Sequence, residues 1–486
     1  MFAAVAVVLG GPVVHRTRGH IAITFVHERL PAAARRWADA VSSVFILVGL
    51  SLLSLAAWRQ AWLAITTMER SGTALNLPMS MVLKALFALF GVDGLQLVAS
   101  RIYSFINEYV LVSVPMFILM ASLLERSGVA HALFDAMRVW AGRLPGGLAI
   151  QAMVAATIMG AMTGIIGGEI VLLGLIALPK MLRLGYDKKL AIGTTCAGGS
   201  LGTMIPPSIV LVLYGLTVNV PIGDLFTANL VPGLILSDVY MAYIFIRCRI
   251  DPTLGPPAPE EEHAIPLAEK LRLMRGLVLP MLVVAAVLGT IYLGIASVTE
   301  AAAVGVVGTA LASAIRGELK WKLVREASIQ TMTTCGMLLW LSFGATAMIG
   351  VYNLAGGPAF VKEMFTGLTM PPIAVVAVMM GILIVLGMIM DWVGICLLTM
   401  PIFVPIIKTL GFDPVWFGVL FCLNMQISYL SPPFGPAAFY LKGVAPPDIS
   451  LNDIFAAVGP FILLQAAVML LVMFIPSLAM WLPSLN

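Results

Sequence analysis

The chain has 486 residues, of which 60% are hydrophobic and 11% charged, with a formal net charge of +4 and a mean hydropathy of +1.02. Such a composition belongs to a polytopic membrane protein, and a charge this small and dispersed excludes a nucleic-acid-binding surface. The five cysteines (Cys196, Cys248, Cys335, Cys396, Cys422) stand singly in or beside apolar segments; without CxxC or Cys/His spacing they indicate neither a disulfide framework nor a metal site, and read as small packing residues.

In chain order, residues 1–14 are apolar but too short to span, with the basic residues after them and not before, so they read as the end of a longer helix and not as a cleavable signal. Residues 15–39 are basic and mixed in polarity, suited either to an interfacial helix or to a solvated connector. A span is expected at 41–65, where Trp58 and Trp62 suit an interfacial belt. The segment 77–92 is marginal because of Lys84, and 108–124 is a clear span followed by a charged loop at 125–145. The apolar run 146–179 exceeds the ~20 residues of one pass and is interrupted by Gly160, Gly164, Gly167 and Gly168. Two short helices meeting at a glycine tip, entering and leaving on one side, fit it. Residues 190–217 are long enough to cross but contain Gly198, Gly199, Gly202 and Pro206–Pro207, which predicts a helix broken mid-membrane. Further spans are expected at 225–246, 276–297, 300–315 and 329–352, with a hydrophilic loop at 247–275. The chain then offers a second hairpin at 371–405 with its tip at 387–394, a second broken helix at 415–438 and a last span at 455–482.

These last segments repeat earlier ones. Pro179 and Pro405 each lie eight residues before an aspartate, Asp187 in Leu-Gly-Tyr-Asp and Asp413 in Leu-Gly-Phe-Asp. Each aspartate lies nineteen residues before a Pro-Pro pair, Pro206–Pro207 or Pro432–Pro433, and the offset is 226 throughout. A series of matches in one register marks an internal duplication. If both glycine-tipped segments are re-entrant, the loops 125–147, 180–189, 247–275 and 316–326 share one side and hold most of the Lys and Arg, while 218–224, 298–299, 353–370 and 406–414 hold only Lys362 and Lys408. The positive-inside rule is met only on that condition. Five crossings then separate the two Leu-Gly-aromatic-Asp turns, so the halves are expected to be inverted. Counting backwards puts the basic arm at 15–37 outside; either one N-terminal segment fails to span or a span is missing.

Inverted repeats with broken helices are the architecture of secondary transporters. Interrupted helices expose carbonyls and amides at bilayer depth, which is tolerable only around a cavity; the helix N-termini suit an anion and the freed carbonyls a cation such as Na⁺. Candidate cation ligands are Thr163, Gly164, Gly167, Gly168 and Glu169 at the first tip, with Asp391 and Gly394 at the second. Candidate substrate residues are Ser200, Gly202, Thr203, Pro206, Pro207 and Ser208 at the first break, and Asn424, Ser428, Ser431, Pro432 and Pro433 at the second. Gly and Ser also serve as helix-packing residues, but packing alone does not explain why both copies break alike. An ionised carboxylate at this depth is costly, so Asp391 reads as a cation or gating group in preference to an interfacial cap. Glu169 either binds a cation or proton or simply begins the second arm of the hairpin. Asp238 reads as a bundle hydrogen-bonding group, and Thr299–Glu300 as a helix start with a cap hydroxyl and a dipole-facing acid. No HExxH, GxSxG or GxxxxGK[ST] is present, which argues against an enzyme and against a P-loop ATPase.

The stretches GLIALPKMLRLGYDKKLAIGTTCAGGSLGTMIPPSIVLVLYG, GIASVTEAAAVG and MDWVGICLLTMPIFVPIIKTLGFDPVWFGVLFCLNMQISYLSPPFGPAAFYLKGVAPP resemble the large membrane subunit of tripartite ATP-independent periplasmic (TRAP) transporters. Several long motifs occur in order, over roughly 75–486. Residues 15–72, with GHIAITFVHERLP, resemble part of that family's small membrane subunit. The resemblance implies a fused permease: a partial small-subunit region at 1–74 and a large domain at 75–486, with a first repeat at about 107–246, a linker at 247–275 and a second repeat at about 327–482. It also implies an all-α elevator-type importer in the bacterial inner membrane. Such an importer is driven by Na⁺, requires no cofactor, and takes a small organic anion, usually a carboxylate, from an extracytoplasmic binding protein. A separate small membrane subunit is a further implied partner. Glu169 departs from the pattern, because the family usually has a small or weakly polar residue after the TGIxG turn; the departure bears on the ordinary Na⁺ site. The alternatives are a stand-alone carboxylate symporter, separable by a neighbouring binding-protein gene, and a channel, which would show unsaturable flux independent of a sodium gradient.

Overall fold

The computed structural model describes residues 103, 105, 107–138, 140, 144–164, 167–257, 266–354 and 370–485. The predicted arm at 15–39, the spans at 41–65 and 77–92 and the boundary near 74 lie outside the described residues. Two compact units divide the chain, Met1–Asn107 with Trp340–Leu368 and Glu108–Leu339 with Thr369–Asn486. The second holds the elements and contacts below, apart from the end of one helix.

Every regular element among the described residues is helical. A 3-10 turn at Tyr109–Val112 leads into α1 (Ser113–Arg126), and α2 (Val129–Arg138) follows. The predicted first hairpin is α3 (Gly147–Thr163) and α4 (Gly168–Arg183), and the first broken helix is α5 (Lys188–Ser200) and α6 (Ile209–Val218). Next come α7 (Ile222–Ile250), α8 (Leu267–Tyr292), α9 (Val298–Ile315) and α10 (Trp321–Leu354). The second hairpin is α11 (Pro372–Gly387) and α12 (Trp392–Thr409); the second broken helix is α13 (Pro414–Leu430) and α14 (Pro436–Lys442). Two helices, α15 (Leu451–Phe474) and the short α16 (Ser477–Met480), end the fold.

The sequence accounts for the turns between these pieces. In both copies of Leu-Gly-aromatic-Asp the glycine is left-handed (φ 81° at Gly185 and at Gly411). The Tyr186 and Phe412 amides donate to the Met181 and Ile407 carbonyls at 3.0 and 3.1 Å, closing the preceding helix. The aspartate then caps the next one: Asp187 accepts from the Leu190 amide at 2.9 Å and Asp413 from the Val415 amide at 2.6 Å. One four-residue motif thus ends a helix and starts another, twice.

The core lies along α5 and α13, the first arms of the two broken helices. Leu190–Ser200 are all buried, as are Val415–Leu430; neither stretch contains a charged residue, and their polar side chains, such as Ser200, Asn424 and Gln426, are buried with the rest. Helices α8, α9, α11 and α15 instead leave apolar side chains exposed, in stripes such as Val304, Val307 and Leu311 or Val378, Ile382 and Val385. Spaced by three or four residues, each stripe covers one helix face, and a membrane protein turns that face to lipid. The opposite face of α9 is small and buried (Ala301, Ala302, Gly305, Thr309, Ala312). It lies on α1 closely enough that a Cβ on Gly305 would strike Met120. Among the described residues five helices are long and apolar enough to cross a membrane: Tyr109–Arg126, Ile222–Ile250, Val298–Ile315, Trp392–Thr409 and Leu451–Phe474.

Backbone hydrogen bonds collect the basic loops. The amides of Gly146 and Asp187 donate to the carbonyls of Gly255 and Leu254 at 2.7 and 2.9 Å. The start of α3 and the end of α4 therefore lie at the same end of the molecule, beside the turn after α7. In that turn Asp251 accepts from the Thr253 hydroxyl and amide, which hold its carboxyl below the usual carboxylate range. Arg126 pairs with Glu326 at 2.9 Å, bringing the loops after α1 and before α10 together.

Three expectations are corrected. The charged loop at 125–145 contains α2, whose Leu133, Phe134 and Ala136 are buried and which packs on α3 and α8. The second tip is narrower than 387–394: α11 runs to Gly387 and α12 starts at Trp392, so Gly394 lies inside α12. The cap of α9 is Ser297 and not Thr299. Ser297 Oγ accepts from the Glu300 amide while Glu300 reaches back to the Ser297 amide at 2.8 Å, a complete capping box; Thr299 is buried.

Candidate functional site

Each Pro-Pro pair removes two donors from a helical ladder. In α5 an amide at position 207 would have served the Thr203 carbonyl; Pro207 has none. That carbonyl instead accepts from Ser208 Oγ at 2.5 Å and from Cys422 Sγ at 3.3 Å. The helix degrades into a 3-10 turn at Leu201–Thr203 and resumes at Ile209. Ser208, at the N-cap of α6, makes no side-chain cap, because its hydroxyl is spent on Thr203. The α6 N-terminus therefore has no side-chain cap and no acidic residue in its first turn. The second copy breaks at the equivalent place, with the Gly435 amide donating to the Ser431 carbonyl at 2.8 Å before α14 starts. Both Pro-Pro bonds are cis.

Break 1 is held from the other copy and from α7 of its own. Gln426 Nε2 donates to Thr203 Oγ1 at 2.6 Å, and Asn229 Nδ2 donates to the Met204 carbonyl and to Cys422 Sγ. Ser200 is turned back on its own helix, with Oγ donating to Ala197 O at 2.8 Å. The second-break hydroxyls do the same: Ser428 Oγ donates to Asn424 O at 3.2 Å and Ser431 Oγ to Ile427 O at 2.7 Å. Asn424 does not border the break. It lies inside α13, and its amide donates to the Met380 carbonyl of α11 at 2.8 Å.

The tips rest on the breaks. Gly164 closes α3 in a left-handed conformation (φ 62°) and is so near Pro207 that a Cβ there would strike the Pro207 carbonyl; the Ile209 amide donates to the Gly164 carbonyl at 3.3 Å. Gly167, at φ 118°, faces the ring of Tyr440 from α14, and a Cβ on Gly168 would stand 2.7 Å from Glu125 Oε1. Glu169 is only 1% exposed. Thr163 Oγ1 donates to its Oε1, its Oε2 has no hydrogen-bond partner, and Gly202 comes so near that a Cβ would collide with the carboxylate. At the second tip Asp391 is the N-cap of α12, accepting from the Val393 amide at 3.0 Å. Gly387 is pressed on the Ser428 side chain.

These parts surround one cavity of about 390 Å³. Thr163, Gly164, Gly167, Gly168, Thr203 and Asp391 line it. Glu169, Ser200, Gly202, Pro206, Pro207, Ser208, Gly394, Asn424, Ser428, Ser431, Pro432 and Pro433 are not among its described wall residues. Sequence reasoning missed Ser122, Glu125, Gln330, Thr334, Trp392 and Tyr440. Glu125 had a signal: it follows Ile118, Ala121 and Ser122 at helical spacing, a buried face of α1. Among the described lining residues none is Lys, Arg or His. The neighbouring Arg126 is engaged by Glu326 at 2.9 Å and by Gln330 Oε1 at 2.6 Å.

The helices exchange partners in a reciprocal way. The second arm of broken helix 1, α6, packs on the second arm of hairpin 2, α12; the second arm of broken helix 2, α14, packs on the second arm of hairpin 1, α4. The cavity is therefore walled by both copies, and four helix N-termini (α4, α6, α12, α14) reach its lining through Gly168, Ile209, Trp392 and Pro436.

Comparison with known proteins places this arrangement. The sequence is 30% identical over 397 residues to the C4-dicarboxylate TRAP transporter large permease protein DctM of Pseudomonas aeruginosa, covering 82% of this chain and 91% of that protein. It is 28% identical over 389 residues to the isethionate TRAP transporter permease protein DctMQ of Oleidesulfovibrio alaskensis, covering 79% and 60%. The fold is similar to the crystal structure of the Alcanivorax borkumensis YdaH transporter, with a TM-score of 0.60 and 17% identity over 81% of this chain and 90% of that one. Residues 1–108 match the DctQ component of tripartite ATP-independent periplasmic transporters. Residues 61–478 match the family described as tripartite ATP-independent periplasmic transporter, DctM component, and the chain belongs to that family.

Proposed function

We propose that this chain is a fused permease of the bacterial inner membrane, which imports a small organic solute bearing a carboxylate, delivered by an extracytoplasmic binding protein and driven by Na⁺. Its small-subunit-like part is 1–74 and its large part 75–486, with inverted repeats at about 107–246 and 327–482 joined by the linker 247–275. The hairpins are re-entrant, and the movement is of the elevator type. Relatives named as C4-dicarboxylate and 2,3-diketo-L-gulonate transporters support the carboxylate.

The observation that carries the reading is the cavity lined by both tips (Thr163, Gly164, Gly167, Gly168 and Asp391), by Thr203 of the first break, and by the second arms of both broken helices (Ile209, Pro436 and Tyr440). A carboxylate is accommodated at the N-terminus of α6, which has no side-chain cap and no acid in its first turn, and where the amides beyond Ile209 and the helix dipole favour negative charge. Carbonyls at the tips and breaks, with Thr163, Thr203 and Asp391, supply the oxygen donors that a transported Na⁺ requires. The 226-residue offset and the reciprocal packing of α6 on α12 and of α14 on α4 support two equivalent halves around one site.

The test uses the full chain in proteoliposomes with its purified cognate binding protein loaded with radiolabelled ligand. Uptake is expected to require both the binding protein and an inward Na⁺ gradient. Equal uptake with the gradient collapsed refutes the coupling, and equal uptake of free ligand refutes the need for the binding protein.

A further inference from the structure

The cavity has acidic side chains in its described wall and no basic one. Glu125 and Asp391 both line it, and no described lining residue is cationic. Among the described residues the Glu125 side chain makes no hydrogen bond or ion pair, and Arg126 beside it is turned to Glu326 and Gln330. Behind Gly168 sits Glu169, 1% exposed and with Oε2 unpartnered. A solute bearing only carboxylates would face the acidic side chains of Glu125 and Asp391 with no basic partner in the wall, which is how a site rejects the wrong charge pattern. The rings of Trp392 and Tyr440 stand in the same wall, and aromatic faces attract alkylated ammonium groups.

Resting on the reading of this cavity as the transport site, we propose that the solute is a zwitterion. Its carboxylate lies at the α6 N-terminus, and a cationic nitrogen, a primary amine or alkylated ammonium, faces Glu125 with Asp391, Trp392 and Tyr440 around it. A volume near 390 Å³ is at the small end of ligand pockets and matches a solute of metabolite size. Glu125 then sets specificity by charge, and the low-dielectric wall strengthens its pull on the nitrogen.

The experiment measures the thermal stability of the purified full chain against matched probes. The zwitterions are 4-aminobutanoate and trimethylglycine; the anions are glutarate and butanoate. All are titrated in NaCl and again in KCl. Wild type is expected to be protected by at least one zwitterion at a half-saturating concentration about tenfold or more below that of either anion. Glu125→Gln is expected to remove that preference, and Glu125→Asp, which keeps the charge, to retain part of it. Protection by glutarate equal to or better than by both zwitterions overturns the proposal, as does protection by no probe. It falls too if NaCl alone gives the full Glu125-dependent protection, the sign of a metal ion in that place. The wild-type comparison needs no variant to fold. Sodium-driven uptake of a dicarboxylate would leave the transport reading standing and sink this one. Zwitterion protection without sodium-driven uptake would do the reverse.

Discussion

The contact between Gly202 and Glu169 joins the first break to the first tip, and it can be tested as a pair. A Cβ on Gly202 would lie 2.6 Å from both Cδ and Oε2 of Glu169, roughly 0.8 Å inside ordinary carbon contact distance. The carboxylate cannot simply retreat, because Thr163 holds its other oxygen and α4 is already flush on α5: a Cβ on Gly199 would sit 2.8 Å from the Ile170 backbone. Overpacking of this kind costs about 1–3 kcal/mol, and the lower chain entropy of alanine returns about 0.4–1 kcal/mol. Gly202→Ala should therefore destabilise by roughly 1–2 kcal/mol and reduce uptake. In a Glu169→Ala background the clash is gone, so the same change should be near neutral, a coupling of about 1–2 kcal/mol. Unfolding is followed thermally in one detergent at one scan rate, since membrane-protein denaturation is commonly irreversible. Gly289→Ala is the control: nothing lies within 4 Å of its added Cβ, and alanine gains up to about 1 kcal/mol over glycine in a helix. Equal cost of Gly202→Ala in both backgrounds refutes the contact.

Two further outcomes are expected. Asn424→Ala should cost about 1–3 kcal/mol by removing the amide that bonds Met380 O. Asn424→Leu should cost less, because it fills the space and also removes the unpartnered Oδ1; the reverse order in thermal unfolding would contradict the assignment. At the second tip Asp391→Ala should lose a cap worth about 0.5–2 kcal/mol, while Asp391→Asn keeps an acceptor for the Val393 amide. If the charge serves transport, Asp391→Asn folds normally and transports poorly; wild-type uptake by a stable Asp391→Asn would leave Asp391 as a cap alone.

Much of the local architecture was legible because its causes are local. Glycines at 164, 167 and 168 placed the first tip, and the missing amides of the Pro-Pro pairs placed both breaks. The first break nonetheless begins at Leu201, ahead of Pro206, because a proline leaves unserved the carbonyl four residues before it. Asp391 was weighed as an ion group against a cap; the fold gives it the cap, and that does not exclude the other role. What stayed hidden depends on distant partners. Tyr440 reaches the first tip from α14, and Gln426 reaches Thr203 across 223 positions; no periodicity encodes such contacts. Glu125 was misplaced for another reason. Beside Arg126 it reads as loop charge, whereas the helix runs to Arg126 and keeps Glu125 on the face of Ser122.

The duplication is not a symmetric one at the level of side chains, and the difference follows from single residues. At the 226-residue offset Cys196 answers to Cys422, but Ser200 answers to Gln426 and Gly202 to Ser428. Gln426 is long enough to cross from α13 to break 1; Ser200 is too short and bonds its own helix instead. Gly202 has no side chain and so admits Glu169 from tip 1, whereas Ser428 has one and so requires a glycine, Gly387, at tip 2. Each of these two contacts thus pairs a glycine with a polar side chain, with the roles exchanged between the copies. Tip 1 brings the carboxylate to the break, and tip 2 brings only backbone. The carboxyl group of tip 1 is buried against the break, whereas at tip 2 Asp391 is bound to the first turn of α12.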